Sequence, residues 1–300
     1  MSKSEKPSKV NLPHEASHAT ILEFLIKQFP HVPIHEWKQR MADDSVYRED
    51  GTIIKPDSPY QPGLIYYHRQ VSAEPTIPFS EEIIEHNEHY LIAYKPHFLP
   101  VMPTGVFVNE CLQQRLIKAT GNTELQAVHR LDRDTAGLVL FSTKPDTRHH
   151  YHELFGQKKI EKQYQAIAKI SEQSSPSVGQ KWHIKNYLAR STPKFLFKNL
   201  ESADETVKAQ YAESLIECTQ IKSNKALFKL EPITGRTHQL RLHMQHIGYP
   251  ILNDRFYPEL QPKSADNYEK PLQLLAYCLK FTDPVSQQDV TYHAPVTLEV

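Results

Sequence analysis

Apolar residues early in the chain recur at helical spacing and then switch to strand spacing. Ile21, Phe24, Leu25 and Phe29 fall on one face of a helix that Ser17 would cap. Pro33 opens a second short helix with Ile34, Trp37 and Met41 on one side. Val46-Tyr47-Arg48 and Thr52-Ile53-Ile54 flank Asp50-Gly51, a hairpin signal, and residues 64–67 add a strand. From Ile83 onward short strands alternate irregularly with a few helices. Residues 83–85 and 90–93 predict a strand pair about Asn87, and 98–104, with Pro100 and Pro103, predict a rigid loop. Residues 109–119 predict a helix closed by Gly121, and 146–157 a helix opened after Pro145. Leu138-Val139-Leu140-Phe141 reads as a buried strand, and 163–170, 226–230 and 274–281 as further strands. No internal repeat and no regular βαβ alternation are present. The pattern therefore predicts an α+β domain around a mixed, largely antiparallel sheet with flanking helices.

Composition shifts divide the chain. Residues 1–16 are polar and predict a disordered leader, 17–71 a small helix-helix-hairpin module, 72–80 a linker holding Pro75 and Pro78, and 81–300 the main domain. The 300 residues are enough for both a module and a larger core. A mean hydropathy of -0.56 and the lack of any apolar run of spanning length point to a soluble protein without membrane contact. Cys111, Cys218 and Cys278 are too far apart to form a CxxC pair, so reduced thiols and a cytoplasmic location are expected. Histidines number 17, yet His149, His150 and His152 beside Glu153, and His238, His243 and His246, lack the spacing of a metal-binding helix. No metal and no cofactor are expected, and the chain is expected to act as a monomer.

The stretch His129-Arg130-Leu131-Asp132-Arg133-Asp134-Thr135-Ala136-Gly137 carries the strongest chemical signal. It sets Asp132 between two arginines, just before the buried strand. Opposite charges nearby favour the ionised carboxylate, the state that nucleophilic or general-base work requires. Taken alone, such a residue is more often a surface salt bridge. A second segment shifts that balance. Pro232-Ile233-Thr234-Gly235 is turn chemistry, and Arg236 then precedes a helix with Leu240, Met244 and Ile247, closed by Gly248. A guanidinium at a helix start can hold a carboxylate or a phosphate in bidentate geometry.

HRLDRDTAGL resembles the catalytic motif of the pseudouridine synthases of the ribosomal large-subunit type. TGRTHQLRLH resembles that family's later arginine motif, and Lys162-Gln163-Tyr164-Gln165-Ala166 its tyrosine motif. Tyr90-Leu91-Ile92-Ala93-Tyr94-Lys95-Pro96 is similar to the strand and Lys-Pro turn that open its catalytic domain. The match runs, with gaps, from about Ile83 to the end. Ala136 departs from the family, which usually has Ser there. The first module resembles the alpha-L RNA-binding module, in a degenerate form, since Glu23, Glu36, Asp43 and Asp44 stand beside few cations.

The resemblance implies an isomerase that converts uridine to pseudouridine in structured RNA, ribosomal or transfer, without DNA as a partner. It implies Asp132 as the catalytic carboxylate, Arg236 as its ion-pair partner, and Tyr164 stacking on the base. The candidate RNA contacts are Arg130, Arg133, Lys162, His238 and Arg241. Lys+Arg and Asp+Glu are both 35, so a chain binding RNA must concentrate its cations locally. Tyr164 is equally readable as a core aromatic on an alternating strand, and Arg130 as a salt-bridge partner. An idle RNA-binding relative is the alternative, and a glycosidase-like hydrolase would need a second acid beside Asp132. Asp134 would face away from that role in an extended segment.

Overall fold

The computed structural model describes residues 2–300 except 5, 16, 17, 31 and 72. It divides into two compact units, Met1–Thr76 with Pro103–Glu110, and Ile77–Met102 with Cys111–Val300. The first unit holds β1 (Ser2–Lys3), β2 (Ser8–Leu12), α1 (Ile21–Gln28), α2 (Ile34–Ala42), β3 (Val46–Arg48), β4 (Gly63–Tyr67) and β5 (Gln70–Val71). The proposed cap Ser17 lies outside the described residues; Thr20 caps α1, its hydroxyl accepting from the Glu23 amide at 3.2 Å.

Two boundaries differ from the sequence reading. The leader is not structureless throughout, because β2 pairs antiparallel with β4 and buries Leu12 against Ile21, Trp37 and Ile65. Apolar Val10 and Leu12 at strand spacing suffice once the β4 edge is there to pair with. The proline-rich linker is also tied down. The Glu74 carboxylate accepts the amides of Val108, Asn109 and Glu110. Beyond the unit boundary, Arg115 donates to the carbonyls of Ile77 (2.9 Å) and Phe79 (2.7 Å).

The second unit contains β6 (Glu82–His86), β7 (Tyr90–Lys95), α3 (Leu112–Thr120), β8 (Gln126–Ala127), β9 (Ala136–Ser142), α4 (Arg148–Gly156) and β10 (Glu161–Lys169). It continues with β11 (Lys181–Arg190), β12 (Phe197–Leu200), β13 (Gln210–Lys222), β14 (Lys225–Pro232), α5 (Gln239–His246), β15 (Leu274–Thr282) and β16 (Asp289–His293). One sheet runs in the order β12-β11-β13-β14-β10-β15-β9-β7-β6, with β16 on β15 and β8 on β9. Every pairing is antiparallel except β15 with β9. The architecture is therefore α+β around a mixed, largely antiparallel sheet.

β9 is an interior strand between β15 and β7, and all of its residues are buried, which suits a strand covered on both faces. Its start depends on Gly137. There φ is +124°, and an added Cβ would lie 2.3 Å from the Ala276 carbonyl oxygen of β15. That close approach joins the Asp132 loop to the strand that pairs Ala276 with Tyr164 on β10.

The α5 helix docks on the other half of the sheet. Leu240 and Met244 enter the cluster of Ile216, Phe228 and Leu230, and Leu242 meets Leu188 and Ala212. Full burial of such a side chain contributes about 1.5–3 kcal/mol. Polar contacts set the register. Gln239 donates to the Glu213 carbonyl and the Ser214 hydroxyl, both at 2.8 Å, and accepts from Thr234 Oγ1 at 2.6 Å and the Arg236 amide at 3.0 Å.

Gly137→Ala is expected to destabilise the protein by about 3 kcal/mol or more, since backbone must move as well as adopt a strained φ. Gly121→Ala, at φ +71° with open space around it, should cost only about 1–2 kcal/mol. Urea unfolding of the two variants checks this; equal losses would contradict the close-approach argument.

Candidate active site

Asp132 sits in the loop that feeds β9, and buried groups beneath fix that loop. Lys95, at the end of β7, is fully buried and donates to the carbonyls of Pro96 (2.9 Å), Leu99 (2.7 Å) and Arg133 (3.0 Å). Burial pushes its ammonium down to about 7, opposed by the charges of Asp134 and Asp132. His97 Nδ1 donates to the Asp134 carbonyl at 2.7 Å. His129 accepts the Leu140 amide at Nε2 (3.0 Å), so its neutral ring carries the proton on Nδ1, and it stacks on Phe155 at 4.5 Å. Burial, with a smaller contribution from Lys162, holds it down at about 3.

The cation facing Asp132 is Arg241 rather than Arg236. Arg241 Nη1 lies 3.3 Å from Asp132 Oδ2. Its other edge is held by Asp254, with Nε to Oδ2 at 2.8 Å and Nη2 to Oδ1 at 2.6 Å. The side chains of Arg241 and Asp254 are 2% and 1% exposed, against 26% for Asp132. Burial alone lowers the guanidinium pKa, but the hydrogen bonds and charge of Asp254, then the charge of Asp132, raise it overall. Asp254 also accepts the amides of Phe256 (2.8 Å) and Tyr257 (3.2 Å), so this buried carboxylate is fully engaged. Arg236, expected in Arg241's place, turns outward and donates through Nε to the Tyr211 carbonyl at 3.0 Å. The reason is local. His238 adopts φ +57°, so the helix starts only at Gln239 and its first turn aims Arg241, not Arg236, at the loop.

Three of the five candidate RNA contacts are occupied internally. Arg133 makes a bidentate pair with Asp266 at 2.8 and 2.7 Å, and Arg255 shares that carboxylate at 3.2 Å. Arg241 is the buried partner just described. His238 places Nδ1 2.8 Å from the Tyr257 hydroxyl and Nε2 3.8 Å from Asp132 Oδ2. Burial lowers its pKa against the opposing pull of Asp132, which favours a neutral ring. Arg130 and Lys162 remain on the cavity wall beside Asp132, Tyr164 and Arg236. Burial, helped by Lys158, pushes the Lys162 ammonium down to about 8.

The cavity itself has a volume of about 110 Å³. That is far too small for a duplex, so a substrate base must leave its stack to enter. Tyr164 faces the cavity from β10, where a register shift falls between Gln163 and Tyr164. Burial first and the Asp132 charge second raise its pKa, so at neutral pH it is a neutral phenol, able to stack or donate but not to act as a phenolate base. Asp134 is turned to Arg133 (3.1 Å) and does not line the cavity, which leaves the second acid of a glycosidase-like pair unfilled among the described lining residues. Lys95 falls in the Lys-Pro turn of the sequence motif, which carried no role for it, whereas Asp254 and Tyr257 have no motif; an isolated Asp in Leu252-Asn253-Asp254-Arg255 carries no spacing signal.

Residues 89–246 match the family model described as RNA pseudouridylate synthase. The dual-specificity RNA pseudouridine synthase RluA of Pasteurella multocida is 30% identical over 223 residues, 74% of this chain and 95% of that protein. The ribosomal large subunit pseudouridine synthase C of Buchnera aphidicola is 30% identical over 227 residues, 74% of this chain and 69% of that protein. Among solved structures, human RNA pseudouridylate synthase domain containing 1 aligns at a TM-score of 0.58 and 18% identity, covering 75% of this chain and 86% of that one. The last likeness shows a shared fold.

Arg241→Met would leave Asp254 buried without its partner, so a loss of about 3–5 kcal/mol is expected. Arg236→Met should cost about 1 kcal/mol or less. Denaturant unfolding separates the two, and a reversed order would refute the assignment of partners. A pH effect follows from the buried histidines. His129 is held at about 3 and His243, buried with Nε2 3.0 Å from Asn186 Oδ1, at about 4 by burial and then His246. Both lie below the unfolded value of about 6.5, so the unfolded chain takes up protons first and stability falls as pH drops from about 6.5 toward 4. Each can contribute a slope of up to about 1.4 kcal/mol per pH unit. His243→Gln should flatten that slope between pH 6 and 5 in urea titrations; an unchanged slope would exclude His243 as a source.

Proposed function

Since this chain belongs to the RluA-like family of RNA pseudouridine synthases, and so isomerises uridine to pseudouridine in RNA, we propose that Asp132 is the catalytic carboxylate and that ribosomal or transfer RNA brings the uridine to it. The observation that carries this reading is the Asp132 carboxylate, part-exposed at the wall of the cavity of about 110 Å³ and held by Arg241. The reaction breaks the bond from sugar C1′ to ring N1 and forms one from C1′ to ring C5, while a proton leaves C5 and N1 gains one. Atoms and electrons are conserved throughout. The protein must hold an ionised carboxylate at the reacting carbon, retain the detached base, and let it turn.

Each part of the site fits one of these tasks. Arg241 stabilises the charged form of Asp132 and fixes its direction, and Asp254 fixes Arg241. Tyr164 offers a neutral aromatic face to the base. Arg130 and Lys162 supply positive charge at the cavity mouth for flanking phosphates. A uridine in a loop or irregular stem suits the site best, because extrusion from a regular helix costs a few kcal/mol and an already unstacked base costs less.

Incubation with total RNA from a strain lacking the gene, followed by chemical mapping, should reveal new pseudouridine at defined sites. Asp132→Asn should abolish that turnover while leaving RNA binding and the fold intact. Near-normal turnover by the variant would remove Asp132 from the chemistry, and no new site with the wild type would refute the RNA assignment.

A further inference from the structure

The hairpin of β11 and β12 has a charge pattern that the reaction centre does not explain. From position 181 to 200 the chain carries Lys181, Lys185, Arg190, Lys194 and Lys198 and no carboxylate, within a protein of net charge +0. At the base of the hairpin this charge is balanced, since Lys181 pairs with Glu217 at 3.7 Å and Lys185 with Glu213 at 3.8 Å on β13. At the tip it is not. Arg190 and Lys194 are exposed, and among the described residues neither has a carboxylate within ion-pair distance.

The tip also presents a ring to solvent. Phe195 is 49% exposed. A lone exposed aromatic is ordinary, but this one ends a row. It lies 5.3 Å from Phe256, which covers the Arg241 guanidinium at 4.7 Å and approaches His238 at 5.6 Å. The row therefore runs outward from the arginine that holds Asp132. The hairpin is fixed beside it, with the Phe197 amide donating to the Tyr257 hydroxyl (2.9 Å) and Asn199 Nδ2 to the Leu242 carbonyl (3.2 Å). Within the tip, Arg190 Nη1 donates to the Lys194 carbonyl at 2.9 Å.

We propose that this tip is an RNA-contact site, in which Phe195 stacks on the base of a nucleotide neighbouring the flipped uridine while Arg190 and Lys194 meet the adjoining phosphates. This rests on the RNA-modifying reading above. A polyanion with exposed π-faces matches uncompensated cations beside a ring, because stacking tolerates any base and the charges follow the backbone. The partner is an unpaired segment, since paired bases present no free face.

The test is fluorescence anisotropy of the full chain with two labelled probes, an RNA stem-loop with a uridine-rich loop and a fully paired RNA duplex of the same stem. Phe195→Ala should weaken stem-loop binding by about tenfold and leave duplex binding unchanged, and Phe195→Trp should restore it. Arg190→Ala with Lys194→Ala should reduce the slope of log Kd against log salt by about 1 to 2. Unchanged stem-loop affinity in Phe195→Ala, equal weakening on both probes, or no stem-loop binding by the wild type would overturn the proposal. Pseudouridine mapping is read separately. A wild type that binds as described but forms no pseudouridine would overturn the synthase reading alone.

Discussion

A guanidinium almost sealed from water stands between two carboxylates, and the site is built around that charge balance. Arg241 could not be buried alone, since an unpaired cation in a low-dielectric interior carries a large desolvation cost. Asp254 takes both donors of one edge, Nε and Nη2, and leaves Nη1 directed at Asp132. The buried pair of Arg241 and Asp254 thus acts as a rigid bracket, and the part-exposed Asp132 is the only member of the three that a substrate can reach. Removing any one member changes the charge state that the other two must bear, so the three are expected to behave as a unit rather than as additive contacts.

The fold serves this bracket from both sides. On one side, Gly137 lets β15 approach β9 closely, which fixes the Asp132 loop relative to the strand that carries Tyr164. On the other, a polar network docks α5 on the sheet. Gln239 spans Ser214 and Thr234, and His243 meets Asn186 Oδ1 at 3.0 Å, while Asn186 Nδ2 donates to Asn199 at 2.9 Å. These directional contacts decide which way the first turn of α5 points, a choice that apolar packing of Leu240 and Met244 leaves less defined.

The same features explain what the amino-acid order made legible. The placement of Asp132 and Tyr164 on one cavity was legible as a pair of candidates, because each lies in a contiguous motif next to a strand of clear period. The central sheet was legible wherever strands bury apolar runs, as in β7, β9 and β15. The arginine partner was misread. Order alone places Arg236 and Arg241 in one motif, and the left-handed turn at His238 that selects between them has no signature in composition. The strands β11 and β13 went unrecognised because their inward positions include Asn186 and Ser214, polar residues that hold α5 and so break the expected apolar alternation. Asp254 went unrecognised because its meaning lies entirely in what it touches. Sequence pattern reveals residues whose role is to be buried or repeated, and hides those whose role is a specific partner.

The most direct measurement of the bracket is the steady-state kinetics of Asp254→Asn on total or mapped RNA substrate. Asn keeps the size of Asp254 but carries no charge and has one acceptor oxygen, so it cannot accept from both Nε and Nη2, and residue 254 is almost fully buried. If Arg241 aims Asp132 through Asp254, kcat should fall by about tenfold to a hundredfold, as for small misplacements of a reacting group, with KM for RNA little changed. A variant that folds and turns over with wild-type kcat would contradict the account.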